Sequence, residues 1–100
     1  MKLVVDSDNY IRVSVLALAS GTAISSVDSV TTQILDSSRV LVTNSNISLS
    51  EVGSEVTEYE GTYPETVSLT ADATYIVQVT VTIGTNVTIL ERSVTATREA

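Results

Sequence analysis

The chain contains no cysteine, histidine, tryptophan or phenylalanine, and each absence closes off a class of chemistry. Without cysteine no disulfide can staple the fold, and the thiolate nucleophile and metal ligand are both missing. Without histidine the commonest general base at neutral pH is missing, along with the commonest zinc ligand. The serines therefore have no imidazole to activate them, and no enzyme chemistry is expected. The lack of cysteine also fits a protein made and kept in a reducing compartment. Positive charge is scarce as well. The net charge is −7, and Arg12, Arg39, Arg92 and Arg98 stand singly rather than in a basic patch. Nucleic-acid binding needs clustered cations to displace counterions, so it is not expected, and an acidic surface has little affinity for anionic membranes.

Long apolar runs are missing too. Leu3-Val4-Val5 stops at Asp6, short of a signal-peptide core. The stretch from Val13 to Ala19, broken by Ser14, is only strand length, so no membrane span is expected. Met1 is expected to open a complete reading frame. Lysine occurs only at Lys2 and proline only at Pro64.

Valine (16), threonine (15) and serine (14) together make up 45 of the 100 residues. Val and Thr are β-branched, stiff at χ1, and better placed on a pleated sheet than in a helix. One hundred residues suit a single domain, spanning 1–100, with enough chain to bury a core.

Turn signals divide the chain into short strands. Lys2–Val5 is followed by the turn Asp6-Ser7-Asp8-Asn9. Tyr10–Ala19 alternates and is broken by Ser20-Gly21-Thr22. Ser29–Leu35 reads as a strand from its Val/Thr/Ser content, although the spacing of Ile24, Val27, Thr31 and Ile34 also suits a helix. Val40–Thr43 and Asn46–Ser50 read as short strands around Asn44-Ser45. Acidic Glu51–Gly61 reads as an exposed edge strand, and Pro64 should interrupt pairing. Thr74–Ile83 alternates strictly, with Tyr75, Val77, Val79, Val81 and Ile83 on one face. Gly84-Thr85-Asn86 then forms a hairpin loop, and Val87–Thr97 returns antiparallel. In that return, Val87 and Ile89 are out of phase with Leu90, Val94 and Ala96. This predicts a one-residue bulge near Ile89–Glu91. Seven to eight strands with turns every eight to twelve residues predict an all-β antiparallel sandwich without a disulfide.

One local pattern is more specific. Leu69, Asp72, Ala73, Tyr75, Val77 and Val79 fall in the spacing Leu-x-x-Asp-Ala-x-Tyr-x-Val-x-Val. This resembles the tyrosine corner of immunoglobulin and fibronectin type III domains. The resemblance implies that Tyr75 opens strand F with its hydroxyl bonded to upstream backbone, and that Leu69 ends strand E. There is no Cys pair and no core Trp, so the antibody-type domain is excluded. A second run is Tyr59-x-Gly61-x-Tyr63-Pro64, then Leu69, then Tyr75-x-Val77-x-Val79 and a glycine hairpin. It resembles small Ig-like proteins encoded among tailed-bacteriophage structural genes. These are neck or head–tail connector, baseplate and capsid-decoration components. The resemblance implies a non-enzymatic structural protein of the virion, made in the host cytoplasm. Its partners would be other virion proteins and copies of itself, with no small-molecule substrate and no cofactor. An Ig-like carbohydrate- or surface-binding adhesion module is the alternative. A pilus or adhesin subunit would need a secretion signal.

Candidate sites are few. Asp6-Ser7-Asp8-Asn9 alternates oxygen donors but lacks the Gly and distal Glu of a calcium loop, so it reads as a solvated turn. Asn46-Ile47-Ser48 and Asn86-Val87-Thr88 match the glycosylation pattern, without a signal to bring them to the machinery. No catalytic, cofactor or metal residue is expected. Leu16, Leu18 and Ile76 fall on strand faces opposite the expected core and are candidates for a protein contact surface.

Overall fold

The computed structural model describes residues 2–14, 28–52 and 55–98. Among these residues lie eight strands and no helix. They are β1 (Leu3–Val4), β2 (Asn9–Ser14), β3 (Ser29–Leu35), β4 (Ile47–Ser48), β5 (Ser50–Val52), β6 (Glu55–Tyr63), β7 (Thr74–Ile83) and β8 (Asn86–Thr97). The larger sheet has the order β1-β8-β7-β3-β4 and the smaller β2-β6-β5. All neighbours pair antiparallel except β1, which runs parallel to β8 with Leu3 opposite Ala96. The fold is an immunoglobulin-like β-sandwich with no disulfide.

β7 is central because its alternation is complete. Tyr75, Val77, Val79 and Val81 point into the core, while Ile76, Gln78, Thr80 and Thr82 point away from it. β3 supplies Val30 and Ile34 from the same sheet, and the smaller sheet faces them with Ile11, Tyr59 and Tyr63. Each buried aliphatic side chain stabilises the fold by roughly 1.5–3 kcal/mol.

Polar side chains tie the layers where strands are short. The Tyr63 hydroxyl bonds to Thr32 Oγ1, which donates to the Gln78 carbonyl at 2.9 Å. Asn9 Oδ1 accepts from the Val4 amide at 2.8 Å, and its Nδ2 donates to the Val4 carbonyl at 3.1 Å. The Asn9 amide thus acts as a strand partner for β1. Ser45 Oγ does the same for β3, accepting from the Ile34 amide at 3.0 Å and donating to the Val42 carbonyl at 2.7 Å.

Between β4 and β5 the chain passes from the larger sheet to the smaller one at Leu49, which is buried and donates its amide to the Val30 carbonyl at 2.8 Å. Gly61 leaves room for this crossing, since a Cβ there would stand 2.6 Å from Leu49 Cδ2. That side of the sandwich is closed by covalent chain. On the other side the sheets are joined through the turn between β1 and β2.

Five expectations change. β8 has no bulge, because its register with β7 runs unbroken from Asn86 opposite Ile83 to Thr95 opposite Thr74. The phase change has another cause: most of β8 is exposed on both faces, so it does not obey a one-sided pattern. β6 is not an edge but the middle strand of its sheet. Its inward Tyr59 and Tyr63 hold it there, and Glu58 and Glu60 lie on the outer face beside β2. There Arg12 Nε lies 3.7 Å from Glu58, and Ser14 Oγ donates to Glu58 at 2.9 Å. Val40–Thr43 forms no strand, only one bridge from Leu41 to Leu35. Asp36 Oδ1 caps the Ser38 and Val40 amides, and Arg39 and Asn44 take positive φ, so the segment turns rather than extends. Strand β6 ends at Tyr63, just before Pro64, and Leu69 lies in the following loop rather than at a strand end. The parallel β1–β8 pair is the exception to an antiparallel sandwich.

Burial holds the Tyr63 phenol neutral and pushes its pKa up to about 12, against a smaller opposing effect of the Thr32 bond. Tyr59 shifts the same way, through burial first and then the charge of Glu51. A raised phenol pKa stabilises the fold below the unfolded value near 10, and the benefit is lost as pH rises through the folded value. Unfolding free energy should fall by about 2 kcal/mol between pH 10 and 12 on account of Tyr63. Urea titrations across that range should show the drop, and Tyr63→Phe should remove this part of it.

Candidate interaction surface

The loop between β6 and β7 is built around Tyr75. Its hydroxyl accepts from the Thr70 amide at 2.7 Å, five residues upstream. Leu69 is buried beneath this loop. Asp72 is exposed and takes φ +69°, a left-handed conformation that Asp tolerates better than most residues. Its amide donates to the Ala96 carbonyl at 2.8 Å, and the Ala96 amide donates to the Ala73 carbonyl at 2.9 Å. Leu69, Asp72 and Tyr75 thus come together as a corner that fixes the loop against the end of β8. Their role is architectural.

The other sequence candidates separate. Leu16 and Leu18 lie outside the described residues. Ile76 is half-buried on the outer face of β7, with Leu35 and Ser93 on the neighbouring strands. A chain of polar groups crosses the same face. Arg39 Nη2 donates to Glu91 at 2.5 Å, Gln78 donates to Glu91 at 2.8 Å, Gln33 to Gln78 at 2.6 Å and Asn46 to Gln33 at 3.0 Å. The Arg39 hydrogen bond and then that of Gln78 hold the Glu91 carboxyl below its ordinary range, and Glu91 in turn raises Arg39. Single residues in the sequence gave no sign of this network, because its five members come from five separate segments.

Two of the Asp6–Asn9 side-chain oxygens accept from the backbone. Asp8 Oδ1 accepts from the Glu65 amide at 2.8 Å, and Asn9 Oδ1 serves Val4. Among the described residues no three His, Cys, Asp or Glu side chains gather as a metal site, and no helix is long and apolar enough to cross a membrane.

Exposed apolar side chains lie at Val40 and Leu41 in the turn after β3 and, in a regular strand, on β8. Val87 is 59% exposed, Ile89 55% and Leu90 40%. They follow a two-residue turn, Gly84-Thr85, in which Gly84 alone takes positive φ, as a type II′ hairpin requires. β1 covers β8 only at Ala96 and Thr97. The direction of the backbone groups follows from two contacts. Ala96 bonds towards the β7 side, and Thr97 accepts from Val5 on the other side. Groups alternate along a strand. The amides and carbonyls of Val87, Ile89, Glu91 and Ser93 therefore point out of the sheet edge, and nothing among the described residues pairs with them.

Behind that edge a cleft of about 570 Å³ runs between β8 and β2. It is lined by Ile11, Val13, Val77, Val79 and Leu90, with Arg12 and Arg92 at its border. The feature that marks this surface in the sequence is the phase break at Val87, Ile89 and Leu90.

Tyr75→Phe should lower unfolding free energy by on the order of 1 kcal/mol, because it deletes one hydrogen bond and leaves the Thr70 amide without its partner. Thermal or urea unfolding measures the loss, and an unchanged midpoint would show that the corner carries no energy. No family model, curated protein or solved structure matches the chain.

Proposed function

We propose that this chain is a non-enzymatic structural protein of a tailed-bacteriophage particle, an Ig-like assembly module at the neck or tail or on the capsid surface. The observation that carries the assembly part is the β8 edge, a long regular strand whose exposed Val87, Ile89 and Leu90 stand beside backbone that nothing among the described residues pairs with. Natural edges are usually blunted by Pro, Lys, bulges or short length, and β8 has none of these. Such an edge serves as a contact. The virion part rests on the resemblance through Tyr59, Gly61, Tyr63, Leu69 and Tyr75.

The particle would use the sandwich as a rigid spacer joined by apolar contacts with a polar rim. Of the four tyrosines, Tyr59, Tyr63 and Tyr75 are buried, so an adhesion module would have only Tyr10 as an exposed aromatic platform for a sugar.

Mass spectrometry of purified particles made from the genome that encodes this chain tests the assignment. The protein should be present at many copies per particle. Intact particles without it would overturn the virion reading.

A further inference from the structure

The outward groups of Val87, Ile89, Glu91 and Ser93 form a strip that is complementary to itself. We propose that β8 pairs antiparallel with β8 of a second copy, about a two-fold axis at Leu90, joining the two larger sheets into one. This deepens the assembly reading by naming the partner of its contact strand.

The register follows from three constraints. A two-fold antiparallel pair keeps the outer face of one copy beside the outer face of the other, so outward groups must meet outward groups. Centring on Glu91 would set two carboxylates opposite each other, which destabilises a pair. Centring on Ile89 would leave Ser93 opposite the turn residue Thr85. Centring on Leu90 sets Val87 opposite Ser93 and Ile89 opposite Glu91, in both directions, and all four outward residues bond. That is about eight hydrogen bonds, two per bonded pair.

In this register Leu90 meets its own counterpart in a close, non-hydrogen-bonded pair at the mouth of the cleft. Arg92 falls opposite Thr88, and no like charges face each other. Charge favours a second copy at this place in particular. The chain carries −7 overall, yet between Val87 and Ser93 one Glu and one Arg cancel. Glu91 is further neutralised by Arg39 at 2.5 Å. The edge is thus the neutral strip of an acidic molecule, where two copies meet with least repulsion.

The test is light scattering on the full chain after size-exclusion chromatography, over a concentration series up to about 1 mM, the scale of a weak contact. The wild type should move towards twice its 10.6 kDa mass. Leu90→Glu and Leu90→Lys, each with the wild-type unfolding midpoint, should stay at the single mass, because each places like charges opposite each other at the axis. An equimolar mixture of the two should regain the double mass. Amide hydrogen exchange gives a reading that needs no variant: the Val87, Ile89, Glu91 and Ser93 amides should gain protection as concentration rises. A wild type that stays at single mass throughout, a different oligomer, folded variants that keep the double mass, or a folded mixture that stays single would each overturn self-pairing. A dimer absent from particles overturns only the virion reading. A protein present in particles but single in solution overturns only the self-pairing.

Discussion

The hydroxyl of Tyr63 on β6 meets that of Thr32 on β3 across the middle of the sandwich. Around it the packing is aliphatic, and aliphatic contacts have no direction. Valines on facing sheets can slide past one another by a residue at small cost. A buried hydroxyl cannot, since leaving it unpaired costs roughly 1–3 kcal/mol. The Tyr63–Thr32–Gln78 chain therefore sets how the smaller sheet sits over the larger. The rest follows in order. β6 must end at Tyr63, Pro64 stops further pairing, and the loop returns through Leu69 to Tyr75, whose hydroxyl holds the Thr70 amide. Each step uses a phenol as an apolar wall with a polar tip.

That placement leaves the two sides of the sandwich unequal. On the side of β4 and β5 the chain itself crosses between the sheets at buried Leu49, with Gly61 giving it room. On the side of β2 and β8 the crossing is the turn from Val4 to Asn9, held by the Asn9 side chain at one end. β1 is two residues long and covers only the end of β8. The length of β8 and the brevity of β1 together create the exposed edge. The corner around Tyr75 stiffens the covered end, where Ala96 exchanges bonds with Asp72 and Ala73.

The sequence is most legible where one face of a strand is buried. Thr74–Ile83 and Ser29–Leu35 form over the spans their composition and alternation predict, because core on one side and solvent or a polar network on the other impose period two. It is least legible where burial is not one-sided. In β8 the exposed stretch carries apolar residues on both faces, and a strand under no packing constraint looks like a strand with an inserted residue. In β6 the run of glutamates conceals a central strand, because charge on the outer face says nothing about whether both edges are paired. Val40–Thr43 has strand composition but lies between two positive-φ residues, Arg39 and Asn44, whose side chains do not announce that conformation. The corner at Tyr75 is legible because it depends on spacing within one short segment. The network from Arg39 to Asn46 is not, because only the paired sheet brings its members together.

An unprotected edge on a protein rich in β-branched residues should be an aggregation hazard. Local protection is slight here, since neither the one lysine, Lys2, nor the one proline, Pro64, lies in β8, and its only charges are the adjacent Glu91 and Arg92. What stands in its place is global. Seven net negative charges repel every approach between copies, and least an approach that places the neutral strips face to face. Nonspecific stacking of sheets would bring acids such as Glu58 and Glu60 on the smaller sheet close together, within the distance of about 10 Å beyond which salt at 0.1 M screens charge. The charge thus acts as a filter on geometry more than as a barrier. It opposes most encounters and costs least in the orientation where Glu91 is already neutralised by Arg39. A protein that must remain dispersed until it meets the right surface gains from that division: backbone and apolar groups supply attraction along one strand, and the acidic remainder limits how that strand can be used.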